Sequence, residues 1–275
     1  MRIATEALSV VVAQYDFMDA ASYNQVEENI DRLEEMVQRA VSGFPGVDLV
    51  VTPECSVQGV HAVMWDQVLL TYDSPQMKRL QQICAHYDLW GVFNPWMKSE
   101  SGSCENTVIM INGEGAVVHS YVKSHPWIPL EVCRPGNVCP VCNGPKGSRI
   151  MTLLSSDAEY PEVWEVASRS NANIVIRLAH YMDPIASGFR ITNEGLAIKS
   201  GCCVIGCSAV GLDDQYSYIG TSSIIGCDGN TIVEAPHGVL SIIKADVYPG
   251  VIDYYRERKK RAVEQEVIGN ERRGK

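Results

Sequence analysis

The chain has 275 residues, with 33 acidic and 23 basic side chains, a length that allows one large α/β domain or two small ones and needs no disulfide or metal staples to form a core. Its 46% apolar and 20% charged residues describe a soluble globular protein rather than a disordered or fibrous one. A net charge of −10 disfavours nucleic acid and anionic membranes as partners.

Strand-type segments alternate with helices along the chain, and no low-complexity linker divides them, so one domain is expected. Ala7 to Gln14 reads as a buried strand. A helix from about Tyr23 to Val41 follows, with Val26, Ile30, Leu33, Val37 and Ala40 at the three-and-four spacing of one apolar stripe. Asp48 to Thr52 is a short apolar run stopping at Pro53-Glu54, and Ser74-Pro75 is a cap and first-turn signal for a helix with Met77, Leu80, Cys84 and Tyr87 on its inner face. Thr107 to Ile111 turns at Asn112-Gly113-Glu114-Gly115 into Ala116 to Tyr121, a hairpin signal repeated where Ser222 to Gly226 turns at Cys227-Asp228-Gly229-Asn230 into Thr231 to Glu234. Between the hairpins lie a strand at Ile150 to Leu154, a helix from Pro161 to Asn171, a strand at Asn173 to Leu178, a helix around Asn193 to Ser200 and a strand at Cys203 to Ala209. Hairpins mixed with βα units predict an α/β sandwich with mixed sheets. Residues 1–255 are read as the domain and 256–275 as a charged C-terminal arm, loose from Gly269 onward.

Met1-Arg2-Ile3 leads almost directly into strand-like sequence, and no apolar run reaches about 18 residues, so neither a signal segment nor a membrane span is expected. Of the ten cysteines, Cys139 and Cys142 form a Cys-x-x-Cys pair and Cys202, Cys203 and Cys207 cluster. A structural zinc site needs two such pairs at fixed spacing, and the six histidines supply no companion pattern. The reading is therefore of free thiols in a cytoplasmic, reducing setting, with no metal and no cofactor; a zinc or redox protein is the alternative.

Three apolar strands each end in polar residues: at Glu54, at Lys123, and at Ser155-Ser156-Asp157. Rigid scaffolds commonly carry reactive groups at such strand ends, although each residue taken singly is ordinary. Together they resemble the motifs of the carbon–nitrogen hydrolase (nitrilase) superfamily, most closely its aliphatic amidase and formamidase branch. Leu49-Val50-Val51-Thr52-Pro53-Glu54 matches the strand and "PE" motif. Lys123-Ser124-His125-Pro126-Trp127-Ile128-Pro129-Leu130-Glu131 matches "K-x-x-P-W-x-P-x-E". Ser155-Ser156-Asp157-Ala158-Glu159-Tyr160-Pro161-Glu162 matches "C-x-D-x-x-x-P-E" except at its first residue.

The resemblance implies a four-layer α-β-β-α sandwich with two mixed sheets, and an amidase that converts a small primary amide to carboxylic acid and ammonia through an acyl-enzyme. It implies Glu54 as general base and later acid, Lys123 and the backbone N–H of Ser156 as oxyanion stabilisers, and Glu131 as a positioning carboxylate. Trp127, Tyr160 and Tyr181 are candidate walls of the substrate pocket. A homodimer or higher homo-oligomer is implied too, with the helix after Pro161 and the charged arm as candidate contacts. The departure is Ser155, where the family has its nucleophilic cysteine. A serine hydroxyl is far less acidic than a thiol and normally needs an aligned base such as histidine, so the chain as given is expected to be inactive or severely slowed. An introduced Cys→Ser substitution is the favoured explanation; a natural pseudoenzyme that binds an amide without turnover and a working serine enzyme are the others. Nitrilase or N-carbamoyl hydrolase chemistry is the enzymatic alternative.

Overall fold

A computed structural model describes residues 6–60, 65–127, 131–137, 140–212 and 216–273. In chain order its elements are β1 (Leu8–Gln14), α1 (Tyr23–Gly43), β2 (Leu49–Val51), α2 (Trp65–Val68), α3 (Pro75–Tyr87), β3 (Trp90–Phe93), β4 (Trp96–Lys98), β5 (Cys104–Ile111), β6 (Val117–Val122), β7 (Val141–Asn143), β8 (Arg149–Leu154), α4 (Pro161–Arg169), β9 (Ile174–Ala179), α5 (Ala186–Ser200), β10 (Cys203–Ser208), β11 (Val210–Leu212), β12 (Ser217–Ile219), β13 (Ser223–Ile225), β14 (Thr231–Glu234), β15 (Ser241–Val247) and α6 (Pro249–Arg273).

Local chemistry sets the element ends. Ser22 caps α1 through its hydroxyl on the Gln25 N–H, and Ser74 caps α3 through the Met77 N–H, with Pro75 in the first turn. In the β5–β6 hairpin the Asn112 side chain accepts the N–H groups of Glu114 (3.1 Å) and Ala116 (2.8 Å), while Gly115 takes a φ of 80°. That left-handed turn is why glycine stands there.

The strands form two mixed sheets and a separate antiparallel pair, β11-β12. In the first the order is β15-β1-β2-β3-β5-β4, with β6 also paired to β5; in the second it is β14-β13-β10-β9-β8-β7. Each has a parallel core, β1-β2-β3 in one and β8-β9-β10 in the other, flanked by antiparallel strands. Period-two alternation then builds three cores. From β1, Leu8, Val10 and Val12 face the space between the sheets, where they meet Ile174, Ile176 and Ile205, while Val11 and Ala13 face α1 and α3. From β8 and β9, Met151, Leu153 and Val175 face α4 and α5. The result is the four-layer α-β-β-α sandwich that the motifs implied.

Several elements escaped the sequence reading. β3 and β4 lie in a stretch broken by Gly91, Asn94 and Pro95, and β15 pairs with the whole of β1, from Leu8 opposite Val247 to Gln14 opposite Ser241. Helix α5 starts at Ala186 rather than near Asn193, because Ser187 and Gly188 give its first turn the composition of a loop. α6 is continuous to Arg273, past Gly269, and crosses the boundary placed at residue 255. It is pinned by Asp253 on Arg149 (2.5 and 3.1 Å) and by Arg256 on the carbonyls of Ser168 (3.1 Å) and Ser170 (2.9 Å). No helix among the described residues is long and apolar enough to cross a membrane.

The inter-sheet core predicts unequal costs for similar truncations. Ile176→Ala, in its centre, should lower unfolding stability by about 2–5 kcal/mol. Ile232→Ala, at a 53% exposed residue of β14, should stay within about 0.5 kcal/mol. Chemical denaturation curves of the two variants provide the comparison.

Candidate active site

The topology brings the predicted strand ends to one place. Strand β6 is antiparallel to β5, which is antiparallel to β3, so β2, β3 and β6 run the same way. Glu54, Asn94 and Lys123 therefore all follow carboxyl ends on the same edge of the first sheet. The second sheet shares that orientation: Cys207, late in β10, approaches the carbonyls of Ala13 (3.5 Å) and Val51 (3.7 Å), late in β1 and β2. Ser155, directly after β8, stands at the same end of the sandwich.

Three charged side chains meet there. The Lys123 ammonium donates to Glu54 Oε1 at 2.9 Å and to Glu131 Oε1 at 2.6 Å. Lys123 and Glu54 are 1% and 2% exposed, and the Glu131 side chain is 10% exposed. Glu54 is further held by a relay of amides. Asn106 Nδ2 donates to its Oε1 (3.0 Å), Asn94 Nδ2 donates to Asn106 Oδ1 (2.8 Å), and Asn94 Oδ1 accepts the Cys55 N–H (2.6 Å). The other oxygen, Glu54 Oε2, accepts no hydrogen bond from the described residues. Glu131 Oε2 accepts the Trp127 N–H at 3.1 Å, which ties this carboxylate to the segment that follows Lys123. Ile128, Pro129 and Leu130 of the predicted motif lie outside the described residues.

Burial and charge work in opposite directions on this group. Burial raises the Glu54 carboxyl above its ordinary range, Lys123 pulls it back, and the Glu131 charge pushes it up again. For Lys123, burial alone would favour the neutral amine, but the two carboxylates outweigh it and hold the ammonium above its ordinary value.

The segment after β8 is a 3-10 turn, Ser155–Glu159, entered with Ser155 at a φ of 38°. Such a value is strained for a residue with a Cβ and persists only when its surroundings impose it. The fully buried Asp157 supplies part of that restraint. Its Oδ2 accepts the Leu154 N–H (3.0 Å) and the Tyr121 hydroxyl (2.8 Å), and its Oδ1 accepts the His125 N–H (2.9 Å). Ser156 Oγ donates to the His125 carbonyl at 2.7 Å. The turn of the second sheet is thereby tied to the stretch around Lys123 in the first. From the other side Arg177, in β9, donates Nε (2.9 Å) and Nη2 (2.7 Å) to the Ser155 carbonyl. Ser155 Oγ itself makes no hydrogen bond with the described residues.

The three aromatic candidates sit differently. Trp127 is 44% exposed beside Glu131, and Tyr160 is 40% exposed and stacks on His125 with ring centroids 3.8 Å apart. Tyr181 is buried, its hydroxyl bound to Arg177 and Glu159, and burial pushes it up to about 12.

A family model for carbon–nitrogen hydrolases matches residues 10–257. The chain belongs to the carbon–nitrogen hydrolase family. Among its curated relatives, a formamidase of Photorhabdus laumondii is 30% identical over 257 residues, covering 92% of this chain and 76% of that protein. A formamidase of Bacillus cereus is 29% identical over 247 residues, covering 88% and 74%. Among solved structures, a CN-hydrolase superfamily protein from Xanthomonas campestris superposes with a TM-score of 0.82 at 18% identity, covering 92% of this chain and 95% of that one. A cysteine-to-serine mutant of an amidase from Nesterenkonia superposes with a TM-score of 0.78 at 20% identity, covering 93% and 97%. These structural likenesses establish the fold.

Asn94, Asn106, Tyr121 and Arg177 surround the candidate site but carried no signal in the sequence. A lone asparagine or arginine in or just after a strand has no motif spacing to reveal it. The cysteines fall apart in space: Cys203 and Cys207 lie between the sheets, and Cys202 lies under α5 against Arg256. Cys139 is outside the described residues, and among those described no group of three or more metal-ligating side chains comes together. Cys55, next to Glu54 in sequence, is buried, and burial with the Glu54 charge holds its thiol well above the ordinary range.

Removing the lysine should expose the cost of the trio. Lys123→Met leaves two buried carboxylates facing each other and should cost about 3–5 kcal/mol at neutral pH. The Glu54 carboxyl, already raised, would rise further. A raised group stabilises the fold below its unfolded value near 4.3 and loses that contribution as pH rises through the folded value. The deficit of the variant relative to the parent should therefore shrink on going from pH 8 to pH 5, measured by denaturant midpoints at both.

Proposed function

We propose that this fold carries amidase chemistry on a small primary amide, of the kind named in its formamidase relatives, and that the chain as given is a Cys→Ser form in which that chemistry is stalled. The observation that carries the reading is the buried Lys123 ammonium held between Glu54 and Glu131 at the strand end that also presents position 155. Three charges desolvated together are costly and make more sense as a working site than as a stabilising one.

With a thiol at 155, sulfur attacks the amide carbon as its proton passes to Glu54, whose Oε2 is open to receive it. The tetrahedral oxyanion is held by Lys123 and the Ser156 N–H. Collapse breaks the C–N bond, Glu54 returns the proton, and ammonia leaves a thioester. Water, deprotonated by Glu54, then attacks the thioester and releases the carboxylic acid. Glu131 keeps the lysine oriented through its own bond to the ammonium. With serine the sequence stops at its first step: the hydroxyl is not acidic enough for a carboxylate partner, and no group among the described residues is hydrogen-bonded to it. Ser155 also favours a second reading, a natural binding protein that takes up an amide without turning it over. The exposed apolar residues Val166 on α4 and Ile191 and Ile198 on α5 support a homo-oligomer built on this face. The nine described cysteines are all free thiols, which supports a reducing cytoplasmic setting.

Ser155→Cys should raise ammonia release from formamide at least about a thousandfold over the parent chain. Nitriles and N-carbamoyl compounds assayed beside it identify the alternative chemistries. No gain on any of them would leave the binding-protein reading standing.

A further inference from the structure

Arg177 is a fully buried cation in a central strand, and its main acceptor is not a carboxylate. Buried guanidinium groups usually face an acidic partner, because desolvating an unpaired charge is expensive. Here two arms of the fork, Nε and Nη2, converge on one main-chain oxygen, the Ser155 carbonyl, at 2.9 and 2.7 Å. The remaining donors are also committed. Nη1 donates to Thr192 Oγ1 (2.6 Å) and Asn193 Oδ1 (2.9 Å) on α5, and Nη2 donates to the Tyr181 hydroxyl (2.6 Å), which is in turn bound to Glu159. The rings of Tyr181 and Phe189 each lie 5.0 Å from the guanidinium carbon. The arginine is thus immobilised on every side, and what it grips is the peptide linking Ser155 to Ser156.

A trans peptide is planar, with its C=O and N–H pointing in opposite directions. Fixing the direction of the Ser155 carbonyl therefore fixes the direction of the Ser156 N–H. That N–H makes no hydrogen bond with the described residues. Two charge-assisted bonds to the carbonyl also polarise the amide and strengthen its N–H as a donor. The backbone at Ser155 sits at a φ of 38°, where a peptide without such a clamp would relax by rotating.

We propose that Arg177 is a positioning residue for the oxyanion site: it sets the 155–156 peptide so that the Ser156 N–H points at the reacting oxygen. This inference rests on the amidase reading. Its test uses the full chain carrying Ser155→Cys, with and without Arg177→Lys, since lysine keeps the charge but cannot reproduce the fork. For formamide, kcat should fall about a hundredfold, the scale of losing one oxyanion donor, while KM changes less than about twofold. Alkylation of the restored thiol by iodoacetamide should change less than about twofold, because displacement at a saturated carbon builds no oxyanion. Parallel losses in both rates would mark Arg177 as merely structural, and an unchanged kcat, or a loss carried by KM, would overturn the proposal as well. Should the lysine variant fail to fold, Thr192→Val, which removes an acceptor behind the fork, is measured the same way, with kcat expected to fall about tenfold and alkylation to hold. If Ser155→Cys alone releases no ammonia, the amidase reading fails, and the positioning claim is judged by crystal structures of the same pair. A rotated 155–156 peptide in the lysine variant upholds it, and an unchanged peptide plane overturns it.

Discussion

The hydrogen bonds from one buried ammonium to two carboxylates set the terms for everything around them. Each of the three charges loses several kcal/mol of hydration on entering the sandwich, and mutual attraction returns this only when the distances are short and the remaining lone pairs are met. Lys123 meets that condition at 2.9 and 2.6 Å, and Asn106 completes the shell of Glu54 Oε1. The asparagine relay from Cys55 through Asn94 to Asn106 then becomes intelligible. It converts the rigidity of β3 and β5 into a fixed orientation for one carboxylate oxygen, while the second accepts no hydrogen bond from the described residues.

The two sheets divide the labour. The first provides Glu54 and Lys123 from the ends of strands that share a direction, and Glu131 from the segment after Lys123; the second provides the turn at Ser155 and the arginine behind it. Neither half is a site by itself. What joins them is a small set of polar contacts across the layer boundary: Tyr121 and His125 on Asp157, and Ser156 on the His125 carbonyl. These contacts, with Arg177 on the opposite side, over-determine a strained backbone, which is the condition under which such strain survives. The inter-sheet core of Val10, Val12, Ile176 and Ile205 keeps the two halves in register.

How much of this could be read in the residues depended on whether the signal was local. Glu54, Lys123 and Ser155 stood out because each ends an apolar run within a motif that resembles those of one family, although each taken singly is ordinary. The helices α1 and α3 were legible from period and cap. β15 was not, because its pairing with β1 spans almost the whole chain, and nothing in Ser241 to Val247 alone distinguishes a sheet strand from an apolar loop. Asn94, Asn106 and Arg177 were invisible for a related reason: their roles are defined by partners 12 to 52 residues away, such as Asn106 for Asn94, Glu54 for Asn106 and Ser155 for Arg177. The charged tail shows the same limit, since a run of basic residues reads as a solvated or packing arm without saying where it packs. Asp253 and Arg256 in fact dock the start of α6 on Arg149 and on the carbonyls after α4.

The serine at 155 fits this division between backbone and side chain. The contacts that hold the turn at 155 are made by the carbonyl of Ser155, by the Leu154 N–H, and by Ser156 and Asp157; the Ser155 side chain takes part in none of them. Exchanging sulfur for oxygen at that atom therefore removes no element of the scaffold, and the charged trio keeps its geometry without it. On the amidase reading proposed above, the consequence would be confined to reactivity, because only the acidity of the group at 155 would change, and a carboxylate raised by burial suits a thiol better than an alcohol. A turn held by its main chain can thus accept either oxygen or sulfur at position 155 without a change in its architecture.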